Sequence, residues 1–390
     1  MIQINRIIIL FILFSFNAFA LPQYSMLSGN KCINCHVNPL GSGVRNDLGW
    51  YARNDVGLLN PDDIGLAGFF KTVAGTNQYF NKLLIFGFDF RYETAKIGPS
   101  DNPVRKYFGM QATPYLVLKP FNWMTLGGSY NIFYDVYKTR YPGQKAWTGY
   151  LILQPDITYP SLKAGYFEPP IGTRYDDHTL LVSQVPGGGQ PQLIPPDFAE
   201  YGAEISYEGL KWLSLTAGVF KSESMAENII MDTTGNFVPL VDKKKMAIAA
   251  NASVWQRFFE NKINLQLGGS YYVSNDFNIT SAFLNAGLTD ELAINTEILW
   301  TDKKDLRKSR NFLVGLTYQL HDGLLVEARF EKAFTNDLHN KANWTTDHYL
   351  IGLHIFPLPY IELRPEYRIY DKEWAEGYEA QYAVQLHLYY

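Results

Sequence analysis

The stretch Leu84-Ile85-Phe86-Gly87-Phe88-Asp89-Phe90-Arg91-Tyr92-Glu93 sets Leu84, Phe86, Phe88, Phe90 and Tyr92 against Ile85, Gly87, Asp89, Arg91 and Glu93. Apolar and mostly polar positions alternate with period two, which marks a β-strand with one greasy and one wet face. The pattern returns at Leu324, Val326, Ala328 and Phe330 against Glu327, Arg329 and Glu331. It returns again at Ile361, Leu363, Tyr367 and Ile369 against Glu362, Arg364, Glu366 and Arg368. A last run carries Tyr378, Ala380, Tyr382, Val384, Leu386, Leu388 and Tyr390 on one face.

Alternation alone does not say which face meets lipid, because a soluble sandwich has the same period. Connection lengths decide. Short links at 119–122, 155–160, 207–211, 259–262, 320–323 and 356–360 alternate with longer polar stretches at 94–105, 136–145, 169–198, 221–243, 301–308, 335–343 and 371–377. Outer-membrane barrels alternate short periplasmic turns with longer external loops in this way. The expectation is an all-β, antiparallel outer-membrane β-barrel over residues 80–390, preceded by a small α/loop segment. Roughly 19 residues per strand with its share of connections gives about sixteen strands. The interval 278–300 is the weak point, and reading it as irregular gives fourteen.

Composition agrees. The 390 residues include 27 Tyr, 25 Phe and 8 Trp, and past the first twenty no apolar run approaches the length a membrane-spanning helix needs, which excludes a polytopic helical protein. Lys and Arg number 34 against 38 Asp and Glu, a formal net charge of −4, which argues against a nucleic-acid partner. Residues 1–20 read as a secretory signal peptide: Arg6, then the apolar residues 7–14, then the small-residue ending Ala18-Phe19-Ala20, with cleavage expected after Ala20. The expected location is the outer membrane of a Gram-negative bacterium, with outer-membrane lipid around the barrel and residues 21–79 in the periplasm or the barrel lumen.

The only two cysteines fall in one pentapeptide, Cys32-Ile33-Asn34-Cys35-His36. This is the C-x-x-C-H pattern of covalent c-type haem attachment. Two thiols three positions apart can form thioethers to the two vinyl groups of one haem edge, which leaves His36 beneath the iron as proximal ligand. A disulfide across two residues would be strained, a thioredoxin-like site would want a βαβ context, and zinc would need more ligands. Residues 21–79 are therefore read as a monohaem cytochrome c segment and a candidate pore plug. Within it Arg45 is a candidate partner for a propionate, or a solvated charge, and Trp50 is a candidate to pack on the macrocycle. For the distal position Met26 is the candidate inside the segment. His354 and His387, on polar strand faces near the periplasmic mouth, are the others; a five-coordinate iron is the remaining option. In the long loop, Asp176, Asp177 and His178 offer ligands for transient Fe(II), or simply a turn and its caps. Nothing resembles a hydrolytic nucleophile-base pair or a phosphate loop.

A haem segment followed directly by a barrel resembles the fused monohaem cytochrome-porins of the outer membrane, best known as the iron-oxidising cytochromes of iron-oxidising bacteria. Beyond architecture the similarity rests on Gly29, Cys32, Cys35, His36 and the turn from Pro39 to Arg45. That turn departs from the iron oxidisers, since Asn38-Pro39-Leu40-Gly41-Ser42-Gly43 replaces their Pro-x-x-x-x-Phe-Gly-Arg type of run. The resemblance implies an electron-transfer cytochrome with one covalent haem c, taking electrons from extracellular Fe(II), as a ferrous-iron oxidase would, and passing them to a periplasmic carrier such as a soluble cytochrome c. The runner-up is a porin for solute passage with a haem-bearing plug or gate; a third reading has the barrel merely anchoring a periplasmic cytochrome.

Overall fold

The computed structural model describes residues 22–390 apart from 39, 42, 52–55, 74, 99–103, 138–142, 176, 178, 184–193, 195–197, 233, 260–261, 339–340 and 374. The signal-peptide reading of residues 1–20 lies outside the described residues. Sixteen strands form the barrel: β1 (Leu84–Gly98), β2 (Val104–Phe121), β3 (Met124–Tyr130), β4 (Trp147–Leu153), β5 (Ser161–Phe167), β6 (Glu200–Tyr207), β7 (Leu213–Phe220), β8 (Ala247–Phe258), β9 (Ile263–Ser274), β10 (Phe277–Gly287), β11 (Leu292–Lys303), β12 (Arg307–His321), β13 (Leu324–Asp337), β14 (Ala342–Leu358), β15 (Ile361–Lys372) and β16 (Tyr378–Tyr389). Each pairs antiparallel with its chain neighbour, and β16 returns to β1 with Gln385 opposite Glu93 and His387 opposite Arg91. The sheet is closed, so no edge is left to hydrogen-bond elsewhere.

The greasy face points outward. On β14 and β16, Ile351 is 56% and Tyr382 61% exposed, whereas His348, one strand position out of phase, is 0% exposed. That inversion of a soluble protein's arrangement is what lipid selects. The interval 278–300 holds two full strands, β10 and β11, paired from Phe277↔Lys303 to Gly287↔Ala293, so the count is sixteen and not fourteen. Its wet face is made of Ser281, Asn285, Asn295 and Glu297, all buried. The stretch 301–308, expected as a longer external loop, is instead mostly ladder: Asp302↔Lys308 and Lys303↔Arg307 continue the pairing. Charged residues there mark the external ends of strands, and only the three residues 304–306 turn.

Four short helices precede the barrel: α1 (Pro22–Ser28), α2 (Cys32–Cys35), α3 (Asp47–Tyr51) and α4 (Ala67–Val73). They pack against the strand ends that carry the short turns. Lys31 Nζ reaches Glu208 at 3.0 Å and the carbonyls of Leu210 and Leu213 at 2.9 and 2.7 Å, all in or beside the β6–β7 turn. Asn264 Nδ2 donates to the Met26 carbonyl at 3.0 Å, and Leu58 N donates to Phe356 O at 2.8 Å. Gly287 admits this close approach, since any Cβ there would collide with the Met26 carbonyl. At the opposite end, residues of the β5–β6 and β7–β8 loops pack inward: Leu180, Val182, Phe198, Met225 and Leu240 form one apolar cluster with Phe220, Tyr272 and Phe277 of the wall.

Between these closures the wall is ionic. Arg368 binds Glu93 through two nitrogens at 3.1 and 2.8 Å and takes Glu366 with its Nε at 2.8 Å. All three side chains are buried. Removing one partner from such a group strands the others, at a cost of about 3–5 kcal/mol. Arg368→Ala is therefore expected to lower the temperature at which the barrel loses its heat-resistant mobility on denaturing gels, and Glu93→Gln in the same chain to recover part of the loss.

Candidate cofactor site in the lumen

The single turn of α2 brings Cys32 and Cys35 to one side of the helix and hands the chain to His36, whose N–H donates to the Cys32 carbonyl at 2.9 Å. The segment then doubles back: His36 bridges Arg45, Val37 N donates to Val44 O at 3.1 Å, and Asn46 N donates to Cys35 O at 3.0 Å. Asn46 also ties Ile33 O through its side chain at 3.1 Å. Gly49 lets α3 lie directly on α2, because a Cβ there would collide with the Cys35 carbonyl. The result is a compact loop whose Cys32, His36 and Arg45 side chains line a lumenal cavity. That cavity has a volume of about 260 Å³, just under the roughly 300–1,000 Å³ of ordinary small-molecule pockets. Cys35 is 1% exposed. Burial, with Glu208 adding to it, pushes the Cys32 thiol up to about 12. A pair of thiols one turn apart with an imidazole next in sequence, beside a lumenal cavity, is a donor set that suits a covalently held haem.

Arg45 also places its guanidinium 4.4 Å from the centre of the Tyr389 ring. The other expected site residues lie elsewhere. Trp50 stacks on Tyr360 with ring centres 5.1 Å apart and meets Tyr390 edge-on at 4.5 Å, so its ring packs against barrel aromatics. Met26 is fully buried in the apolar cluster that includes Trp50, Phe70, Phe356 and Tyr360 and is not among the residues that line the cavity with Cys32 and His36. His354 holds Glu362 at 2.6 Å with Nδ1 and Glu327 at 2.9 Å with Nε2. His387 holds Glu362 at 2.7 Å and stands 3.0 Å from Asp89. Both ring nitrogens of His354 are thus taken by carboxylates. Register puts Glu362 directly opposite His387 on the adjacent strand and engages its Nδ1, whereas its Nε2 makes no hydrogen bond.

Several cavity residues escaped the sequence reading. Lys163, Arg91 and Arg174 bring cationic side chains to the same cavity, and Glu297 and Tyr389 line it too. Lys163 Nζ lies 3.9 Å from the Phe167 ring centre and 3.3 Å from Glu204. Alternation assigns such residues to the wet face but not to one height in the lumen.

The long loop between β5 and β6 folds into the lumen. Gly172 N donates to Ser270 Oγ at 2.7 Å, Thr173 N to Glu297 at 3.1 Å, and Leu181 and Val182 N to Glu331 at 2.6 and 3.0 Å. Asp177 accepts from Arg329 at 2.8 Å, so its carboxylate anchors the loop. Asp176 and His178 lie outside the described residues. Burial alone would raise the Asp177 carboxyl, but Arg329, Arg364 and Arg368 hold it well below the ordinary carboxylate range.

No protein-family model matches the chain, and no curated protein sequence matches it. Its fold is similar to those of solved outer-membrane proteins. OprB of Pseudomonas putida shares 10% identity with a TM-score of 0.56, covering 87% of this chain and 100% of that one. The outer membrane channel DcaP of Acinetobacter baumannii shares 12% identity at 0.54, covering 79% and 97%. The anion-selective porin from Comamonas acidovorans shares 9% identity at 0.54, covering 79% and 99%. These likenesses, with the outward apolar belt, define a porin-type sixteen-stranded barrel of the outer membrane in contact with lipid.

The Asp177 pairing has a pH signature. A carboxylate depressed by folding stabilises the docked loop fully above its unfolded value near 3.9, and the contribution is lost as pH falls through the lower folded value. Hydrogen exchange at Thr179 to Val182 is expected to stay slow down to about pH 3.9. In Asp177→Asn, exchange there is expected to be fast already at neutral pH, reflecting about 3–5 kcal/mol of lost anchoring.

Proposed function

We propose that this barrel is a porin scaffold closed by an N-terminal plug that carries one c-type haem, bound through Cys32 and Cys35 with His36 as proximal ligand, and that it transfers electrons across the outer membrane. The observation that carries the reading is that the C-x-x-C-H segment lies inside the barrel, with Cys32 and His36 lining the cavity between the plug and the inward-folded loop. A single haem is small against a hydrocarbon layer of about 30 Å, so it serves both sides only from within the lumen. The haem supplies one-electron chemistry when bound. The chain's own residues supply the rest. Arg45, lining the cavity, is the residue to meet a propionate, and Arg91, Arg174 and Lys163 add positive charge to the same space. Lys31, Asn264 and Phe356 fix the plug to the wall. Extracellular Fe(II) is the proposed donor and a soluble periplasmic cytochrome the proposed acceptor.

A second reading, solute passage gated by the plug, is favoured by the likeness to channels and porins. Conductance separates the two. A plugged electron carrier is expected to show little ion current in planar bilayers and to conduct once residues 21–75 are removed. Sustained current through the intact chain would favour the porin reading.

Covalent haem is expected to stain with the denatured wild-type chain and to be lost in Cys35→Ser. In intact cells the c-type absorption is expected to turn to the reduced form on adding Fe(II) outside. Reduction only by a membrane-permeant reductant would remove Fe(II) as the donor.

A further inference from the structure

One line of aromatic rings leaves the cavity and reaches the surface. Tyr389 lines the cavity beneath Arg45. Its ring centre is 6.0 Å from Tyr360, which stacks on Trp50 at 5.1 Å, which meets Tyr390 at 4.5 Å. Tyr390 Oη lies 3.0 Å from Tyr79 Oη. Every ring-centre separation falls in the range of favourable aromatic contact, about 4.5–7 Å. Tyr389, Tyr360 and Trp50 are buried, whereas Tyr79 is 40% and the adjoining Phe80 76% exposed. Packing explains aromatic pairs. It does not require an unbroken line with one end in the cavity and the other outside, joined from Tyr360 to Tyr390 both directly, at 6.3 Å, and by way of Trp50.

We propose that Tyr389, Tyr360, Trp50, Tyr390 and Tyr79 form the electron route between the lumenal haem and the periplasmic rim, and that Tyr79 and Phe80 mark where a small soluble one-electron carrier docks. The proposal rests on the haem reading above. One electron leaves the ferrous iron, which becomes ferric, and reduces the oxidised centre of the carrier. The rings provide tunnelling overlap and finish each transfer in their starting oxidation state; no bond is made or broken. A small, partly apolar docking face fits the transient encounters typical of electron carriers.

The test uses the full chain with Phe80→Cys, whose thiol is the one left for labelling once Cys32 and Cys35 are thioethers. A ruthenium polypyridyl complex attached there injects one electron on a light flash, becoming Ru(III) as the ferric haem is reduced, and transient absorbance reads the rate. In Tyr390→Leu, which removes the ring that both branches share, the rate is expected to fall by an order of magnitude, with the steady haem spectrum and midpoint potential unchanged. In Tyr390→Phe, which keeps the ring, it is expected to stay within a few-fold of the parent. Should Tyr390→Leu lose the heat-resistant barrel band, the double variant Trp50→Leu, Tyr360→Leu tests the same line, with the same fall expected. Unchanged rates in these Leu variants, with the haem spectrum intact, overturn the route. A wild-type chain without a haem band overturns the cofactor reading itself, and that is seen before any flash.

Discussion

Hydrocarbon offers no hydrogen bonds, so a sheet that crosses it must satisfy every backbone polar group within itself. In this chain that requirement is met at the seam where β16 pairs with β1 over ten residues of ladder, from Ala380↔Gly98 to Tyr389↔Asp89. Closure with sixteen strands fixes a wide interior. The outer face is settled by lipid; the interior is where this molecule has had to find its own solution.

That solution has three layers. Helices α1 to α4 occupy the end with the short turns, inward-folded loops occupy the other, and a charged wall surrounds the space between. The wall carries many buried ionisable groups, yet Arg368 is shared by Glu93 and Glu366, and Glu362 by His354 and His387. Buried charges are tolerable when each has a partner and remaining hydrogen bonds are met. The arrangement therefore binds loop, wall and N-terminal helices into one electrostatic unit: Asp177 joins the loop to Arg329, and Tyr24 of α1 reaches His354 at 3.4 Å.

Much of the fold was legible because period two is a strong signal. Strands β1, β13, β15 and β16 could be read directly from their alternation. The region 278–300 was harder because its wet face carries Ser281, Asn285 and Asn295 with Glu297 as its charge and also holds Ile279, Phe283 and Leu299, while Thr280 and Thr296 blur the greasy one. The C-x-x-C-H pattern was legible because its five residues are contiguous. The surroundings were not. Whether Trp50 meets a cofactor or Tyr360, and whether His354 is open or clasped by Glu327 and Glu362, depends on register between strands far apart in sequence. Period two reports the face of a residue and is silent about what lies across from it.

The seam has a consequence for the order in which the molecule is made. Residues 22–51 touch both of its sides: Arg45 lies on Tyr389 of β16, its carbonyl accepts from Asn77 just before β1, and Val44 packs with Ile85 of β1. Cys35 is enclosed once those contacts exist. On the proposed haem reading, attachment at Cys35 has to come while the first and last strands are still apart, and the final strand pairing is the deadline that seals in whatever that step has left.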